Sequence, residues 1–250
     1  MNLLTAARIK WHVPGTVKLV VDGNSIVAGG HDGADSVGGF MGYLGRSRAP
    51  FSWQTIANVA IGGQTTQDMI NNRADVNAAF DPARVNILFA QEGTNQANLA
   101  ASPPANCDKF LEYLDLMRAE RGWSCIVVAT APMYYAGDHL SQAVTTAANN
   151  HLDEYNIELR RRWPGHADAL IETRWPGGPY DQARYPDYTR ARFFDTEVVN
   201  GASNNACWID EPEGGAVPHQ RIHPTALATR LHSVYVADQL LRLRLHRGFA

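Results

Sequence analysis

Val17-Lys18-Leu19-Val20-Val21-Asp22-Gly23-Asn24-Ser25 is the stretch from which the rest of the chain is best read. Val17 to Val21 is a short apolar run rich in β-branched residues, the pattern of a buried strand. The Gly-Asn-Ser turn at its carboxyl end puts a hydroxyl where open α/β sheets place their ligands. Ser25 is therefore a candidate nucleophile at the mouth of the first strand. Asn and Ser also favour turns for purely local reasons, because their side chains bond nearby main chain. Alone, the tetrapeptide Asp22 to Ser25 reads as an ordinary turn.

Three later segments change that reading. Asn58-Val59-Ala60-Ile61-Gly62-Gly63-Gln64-Thr65 ends a second apolar run, Thr55 to Ile61, in a double glycine. Glu92-Gly93-Thr94-Asn95-Gln96 follows a third run, Val85 to Ala90. Ile222-His223-Pro224-Thr225 lies near the carboxyl end. Each cluster follows a strand or opens a helix, so all four can meet at the carboxyl edge of one parallel sheet. Ser25 supplies a hydroxyl and His223 a base that titrates near neutrality. Gly63 can bring a bare N–H close to a substrate, and Asn95 can add a side-chain N–H. Two such donors aimed at one point form an oxyanion hole, worth about 3–4 kcal/mol per donor.

In this order the blocks resemble those of the SGNH hydrolases, also called GDSL-type esterases and lipases. The resemblance runs from Val17 to the last helix. The family's Gly-Asp-Ser falls on Gly23-Asn24-Ser25. Its oxyanion glycine, within Asn-x-x-x-x-Gly-x-Thr, falls on Gly63, with Asn58 and Thr65 matching. Its Gly-x-Asn-Asp falls on Gly93-Thr94-Asn95-Gln96, and the histidine of Asp-x-x-His-Pro falls on His223. The resemblance implies a three-layer α/β/α sandwich around a central parallel five-stranded sheet, the flavodoxin-like SGNH fold. It also implies a serine esterase with Ser25 as nucleophile, His223 as base, and Ser25 N–H, Gly63 N–H and the Asn95 amide around the oxyanion.

The chain departs from that pattern at three places. Asn24 and Gln96 replace acids, and an amide there can still bond neighbouring loops. Gln220 stands three residues before His223, where the pattern has Asp. A triad acid orients the imidazole and stabilises its cation. Gln220 can do the first through its carbonyl oxygen but cannot supply the charge. Two readings stay open: a Ser–His dyad, or a carboxylate from elsewhere. Asp210, Glu211 and Glu213 are the nearest acids upstream; read alone, they form a solvated acidic loop.

Strand-like runs fall near 17–22, 54–60, 85–90, 124–129 and 168–172. Helical patterns cover 65–79, 107–121, 141–163 and 224–245, the last with Leu227, Leu231, Val234, Leu240 and Leu241 on or near one face. Alternation of strands and helices argues for a parallel sheet covered on both sides. All 250 residues are expected to form one domain. An insertion at about 174–219 lacks periodicity and is rich in stacking side chains, among them Trp175, Tyr180, Tyr185, Tyr188 and Trp208. It leads into His223, so it either borders the site, packs its own aromatic cluster, or does both.

Composition excludes several classes. The net charge of −3 offers no basic footprint for nucleic acid. No run approaches the roughly 20 apolar residues of a membrane span, and Met1 to Lys10 lacks the basic and long apolar regions of a secretory signal. A cytoplasmic protein or a component of a larger assembly fits both. Cys107, Cys125 and Cys207 suggest neither a disulfide framework nor a zinc site, with Cys125 read as a buried strand thiol. No cofactor is implied. The remaining histidines read as loop or polar-face residues, His219 being the only rival to His223. Arg160-Arg161-Arg162 reads as a solvated helix end. Thr130-Ala131-Pro132-Met133 is either a strand-end turn or a wall of the cleft. The expected substrate is a small ester, first of all an O-acetylated carbohydrate. The alternatives are lipase or thioesterase action, or a weakened relative that only binds carbohydrate.

Overall fold

Five parallel strands form the sheet that the apolar runs predict, in a computed structural model that describes residues 17–28, 56–98, 101–132, 142–173, 197–199, 202–204, 211–212, 218–220 and 226–245. The strands are β1 (Val17–Gly23), β2 (Ile56–Asn58), β3 (Val85–Gln91), β4 (Cys125–Ala129) and β5 (Ala169–Ile171). Their order is β2-β1-β3-β4-β5. β1 and β3 pair over their full lengths, from Val17 opposite Val85 to Gly23 opposite Gln91. The turns that leave these two strands therefore start side by side. Strand order also reverses here, because the chain goes from β1 outward to β2 and then back to β3. The diverging loops leave a crevice at such a switch point.

Both faces of the sheet are covered. Helices α2 (Thr66–Ala78), α3 (Pro103–Glu120) and α4 (Gln142–Arg162) pack on one face, with Val20, Leu88, Ile126 and Val128. Helix α5 (Ala226–Leu245) packs on the other, with Leu19, Val21, Ile87, Phe89 and Val127. Alternate residues of one strand thus serve opposite layers, and a strand buried on both sides reads as a continuous apolar run. The result is the expected three-layer α/β/α sandwich.

Helix ends follow local chemistry. Thr65 caps α2 through a capping box: its hydroxyl accepts from Asp68 N, and Asp68 accepts from Thr65 N at 2.8 Å. Those bonds hold the Asp68 carboxyl below its usual range. α3 starts four residues before the predicted Cys107, because Pro103 and Pro104 occupy its first turn behind the Ser102 cap. There a missing N–H costs little. In α5 the buried stripe is His232, Ser233, Val236, Ala237 and Leu240, whereas Val234, expected on the apolar face, is 45% exposed. That helix is apolar on several sides, so spacing alone does not choose the face.

Within the expected insertion, the described residues are two short antiparallel pairs. β6 (Glu197–Val199) pairs with β7 (Ala202–Asn204), and β8 (Glu211–Pro212) with β9 (Pro218–Gln220). Strands of two or three residues are too short to show a period in the sequence. Trp175, Tyr180, Tyr185, Tyr188 and Trp208 lie outside the described residues.

Cys107 and Cys125 are both buried, and burial pushes the Cys107 thiol up to about 12. The three arginines at the end of α4 are ion-paired: Arg160 with Glu172, Arg161 with Glu158, and Arg162 with Asp108. Among the described residues no helix is long and apolar enough to cross a membrane.

Candidate active site

Ser25 is the first residue of a single helical turn, α1 (Ser25–Ala28), directly beyond β1. Asn24 builds that turn: its Oδ1 accepts from Ile26 N at 3.0 Å, and its carbonyl accepts from Val27 N and Ala28 N. The amide at 24 thus does the local capping that an acid could do. Gly23 makes the turn sterically feasible. At its φ of 150°, a Cβ would stand 2.2 Å from the Gln91 carbonyl oxygen and 2.7 Å from Val27 Cγ2. The far end of α1 is held by Asn58, whose amide donates to Val27 O at 3.1 Å. The Asn of the Asn-x-x-x-x-Gly-x-Thr pattern therefore has a physical role, which is to fix the turn that bears Ser25.

The double-glycine loop runs alongside. Ile61 N donates to Gly23 O at 3.1 Å. A Cβ on Gly62 would lie 3.8 Å from Ser25 Cβ, so the loop passes directly beside the hydroxyl-bearing residue. Gly63 takes a φ of 78° and has open space where a side chain would project. Its neighbour Gln64 is buried. The Gln64 amide nitrogen donates to Asp22 Oδ1 at 3.0 Å and to Gly23 O at 2.5 Å.

Asn95 opens a short 3₁₀ turn (Asn95–Asn98) after β3. Its side-chain nitrogen donates one hydrogen to Gln64 O at 2.7 Å, which leaves a second hydrogen on that nitrogen. Its main-chain N–H donates to Glu92 Oε1 at 3.3 Å. Gln96 donates to the Thr66 hydroxyl, so the amide at this position ties two loops together, as expected. Ser25, the Gly62–Gly63 loop and Asn95 therefore meet at the β1/β3 switch point.

Asp22, Gln64 and Glu92 lie beneath this edge, and none of them stood out as functional in the sequence. Asp22 is almost fully buried and accepts from Tyr113 OH at 2.6 Å. Burial pushes its carboxyl up to about 6 despite that bond and the one from Gln64. Glu92 is fully buried and faces the Asn24 amide. Burial pushes it up to about 8, with the nearby Asp22 adding to the shift. The available signal was an acid at the carboxyl end of each of two largely apolar runs, where a carboxylate is costly.

The histidine side is only partly described. His223, Asp210 and Glu213 lie outside the described residues. Gln220 ends β9, and the register places Glu211 directly opposite it. His219 is the middle residue of β9, where the pairing has a bulge. Among the other histidines, His151 contacts Asn106 at 2.9 Å and His166 contacts Asp115 at 2.8 Å. His232 corrects the expectation of a polar-face residue: it is fully buried in α5, and burial pushes it down to about 3, so it stays neutral. Thr130 joins the β4 end to the β5 end through Glu172 and Thr173, which fits a structural strand-end turn.

No family model matches the chain, and no curated protein matches it in sequence. Solved structures do match. A member of the lipolytic G-D-S-L family from Veillonella parvula superposes with a TM-score of 0.60 at 15% identity, covering 90% of this chain and 99% of its own. A variant acetyl xylan esterase from Geobacillus stearothermophilus gives 0.55 at 18% identity, covering 94% and 96%. A carbohydrate acetylesterase from Sinorhizobium meliloti gives 0.55 at 11% identity, covering 90% and 99%. Identities this low speak for architecture, and with the five-stranded parallel sheet they show that the chain has the α/β fold of the GDSL-type, or SGNH, hydrolases.

Proposed function

We propose that the protein is a serine esterase acting on a small ester, most naturally an O-acetylated carbohydrate. One observation carries the reading: Ser25, the exposed positive-φ Gly63 and the Asn95 amide converge at the β1/β3 switch point of an SGNH-type sheet. A hydroxyl flanked by N–H donors suits acyl transfer. Ser25 Oγ attacks the ester carbonyl carbon, and its proton passes to His223. The carbonyl oxygen, now negative, is held by Ser25 N–H, Gly63 N–H and the Asn95 amide. The C–O bond to the alcohol breaks, and that oxygen takes the proton from His223. Water, deprotonated by His223, then cleaves the acyl-enzyme and restores Ser25.

The sugar preference rests on the aromatic segment leading to His223, since rings stack on pyranose faces. The two acetylesterase-named structures of the same fold lend it weight. Lipase or thioesterase action is the second reading, favoured by the lipolytic designation of the Veillonella structure. A weakened relative that only binds carbohydrate is a third. The whole chain is read as one domain, with the segment at about 174–219 as its insertion.

Among Asp210, Glu211 and Glu213, strand register favours Glu211 as the acid for His223. Directly opposed residues of an antiparallel pair have Cβ atoms about 4.5–5.5 Å apart, and Glu211 opposes Gln220. Glu211 is therefore the acid whose backbone position lies across the strand pair from the place where the family pattern has Asp. Without it, His223 works in a dyad oriented by a backbone carbonyl or by Gln220.

Turnover of p-nitrophenyl acetate tests the reading. The wild type should hydrolyse it and folded Ser25→Ala should not. Equal rates would remove Ser25 as nucleophile. A wild type inert on acetyl esters and acetylated sugars, but binding the sugars, would favour the recognition module. Rates climbing steadily from acetyl to octanoyl esters would favour the lipase reading.

A further inference from the structure

The three loops that bear Ser25, Gly63 and Asn95 are joined beneath the surface by a chain of buried hydrogen bonds. From Asp22, Oδ1 accepts the Gln64 side-chain N–H at 3.0 Å. The Gln64 carbonyl accepts the Asn95 side-chain N–H at 2.7 Å. The Asn95 main-chain N–H donates to Glu92 at 3.3 Å. The Glu92 carboxyl lies near the Asn24 amide, but among the described residues Asn24 Nδ2 and Glu92 Oε2 make no hydrogen bond, so the chain ends at Glu92. Tyr113 OH pins Asp22 from α3 at 2.6 Å. Gln64 is the keystone: it is bonded at its side chain, N–H and carbonyl, and it follows Gly63 directly.

The network has a cost. Two carboxyls are buried, each with its proton affinity raised by burial, and Asp22 raises that of Glu92 further. Groups of this kind concentrate at functional sites, where geometry outweighs stability. We propose that Gln64, held by Asp22, is the positioning residue of this site: it sets the spacing between the Gly63 and Asn95 donors, and Glu92 holds the Asn95 main chain from the other side. The inference rests on the esterase reading and adds residues that do not touch substrate.

The consequences differ from those of a packing role. Displacing an oxyanion donor by about 1 Å can cost on the order of 10²-fold in rate. The loss falls on the transition state, so kcat drops and KM does not. Gln64→Leu keeps the main-chain bonds but cuts the links to Asp22 and Gly23. Asp22→Ala cuts the same link from the other end. Asp22→Asn retains an acceptor for Gln64, and Tyr113 OH can accept from the new amide.

The test measures kcat per active site, counted by titration with a fluorophosphonate, together with KM and affinity for an alkylboronic acid, which mimics the tetrahedral adduct. Gln64→Leu and Asp22→Ala should lose about 10- to 100-fold in kcat, with KM nearly unchanged and boronate affinity falling in parallel. Asp22→Asn should recover most of both. Because unfolded molecules are not titrated, a variant that folds poorly still reports on its folded fraction, and Asp22→Ala provides a second reading should Gln64→Leu yield none. Full kcat per titrated site in both variants would overturn the proposal and leave the network a stabilising feature only. So would a loss confined to KM, or an Asp22→Asn as impaired as Asp22→Ala. An inert wild type would instead refute the esterase reading, which keeps the two failures apart.

Discussion

The two halves of the site are built differently. The Ser25 half stands on β1 and β3, paired over their whole lengths, with its loops joined by buried hydrogen bonds to Asp22, Gln64 and Glu92. The histidine half is approached through β8 and β9, strands of two and three residues with a bulge in their pairing. Oxyanion stabilisation needs donors fixed before charge develops, and a long parallel pair provides such a frame. A base needs only the right tautomer and reach, which a short hairpin can supply if an acid steers it. On the proposed reading the contrast teaches where variation is tolerated: an acid could change its place of origin on the hairpin side, whereas the β1/β3 side would admit few substitutes.

The largest effect expected from breaking that contrast is on the hairpin. Glu211→Gln should lower kcat by about 10⁴-fold if Glu211 steers His223, by leaving the imidazole in the wrong tautomer. Adding Gln220→Asp to that variant should restore much of the rate, because it returns a carboxylate to the position where the family pattern has Asp. Asp210→Asn and Glu213→Gln should cost little. Small losses in all three single variants would establish a dyad.

On the rigid side, Asn95→Ala should lower kcat by about 10²–10³-fold with a smaller change in KM. An effect confined to KM would make Asn95 a substrate-binding group instead. Steady-state kinetics on p-nitrophenyl acetate distinguish the two.

A smaller effect concerns stability. The Glu92 carboxyl is raised in the folded protein from its ordinary 4.5 to about 8. Between those values the unfolded chain has released this proton and the folded chain still holds it. Stability therefore falls as pH rises through that window, by up to about 1.4 kcal/mol per pH unit. Asp22 acts in the same direction between 3.8 and about 6. Glu92→Gln removes the first contribution, so its Tm relative to wild type should climb from pH 5 to pH 8. A constant difference would mean that Glu92 is ionised in the fold. Calorimetry at matched ionic strength reads this directly.

Much of this was legible in the sequence, for physical reasons. Parallel strands buried on both faces must be apolar throughout, so Val17 to Val21 and Val85 to Ala90 announce themselves. Glycines forced by close approach, such as Gly23 and Gly93, mark the turns; a Cβ on Gly93 would stand 2.7 Å from Tyr155 Cε1. Gln64 was not legible, since a buried amide and an exposed one look alike until the fold encloses them, and Glu92 was marked only by its place after an apolar run. The start of α3 was missed because Pro103 and Pro104 look like a break, yet they fit a first turn. Leu240 of α5 is buried as expected, whereas Val234 was misplaced because an apolar helix offers several faces. Glu211 was one of three equivalent acids until pairing set it opposite Gln220.

The central claim is that Ser25 is the nucleophile of a donor-lined acyl-transfer site. Its most direct test is to treat the folded protein with a fluorophosphonate and map the adduct by peptide mass spectrometry, with Ser25→Ala in parallel. The predicted result is one phosphonyl group per chain, on Ser25, with p-nitrophenyl acetate hydrolysis lost in proportion and no labelling of the variant. Stoichiometric labelling of another residue with loss of activity, or undiminished turnover after Ser25 is modified, would contradict it.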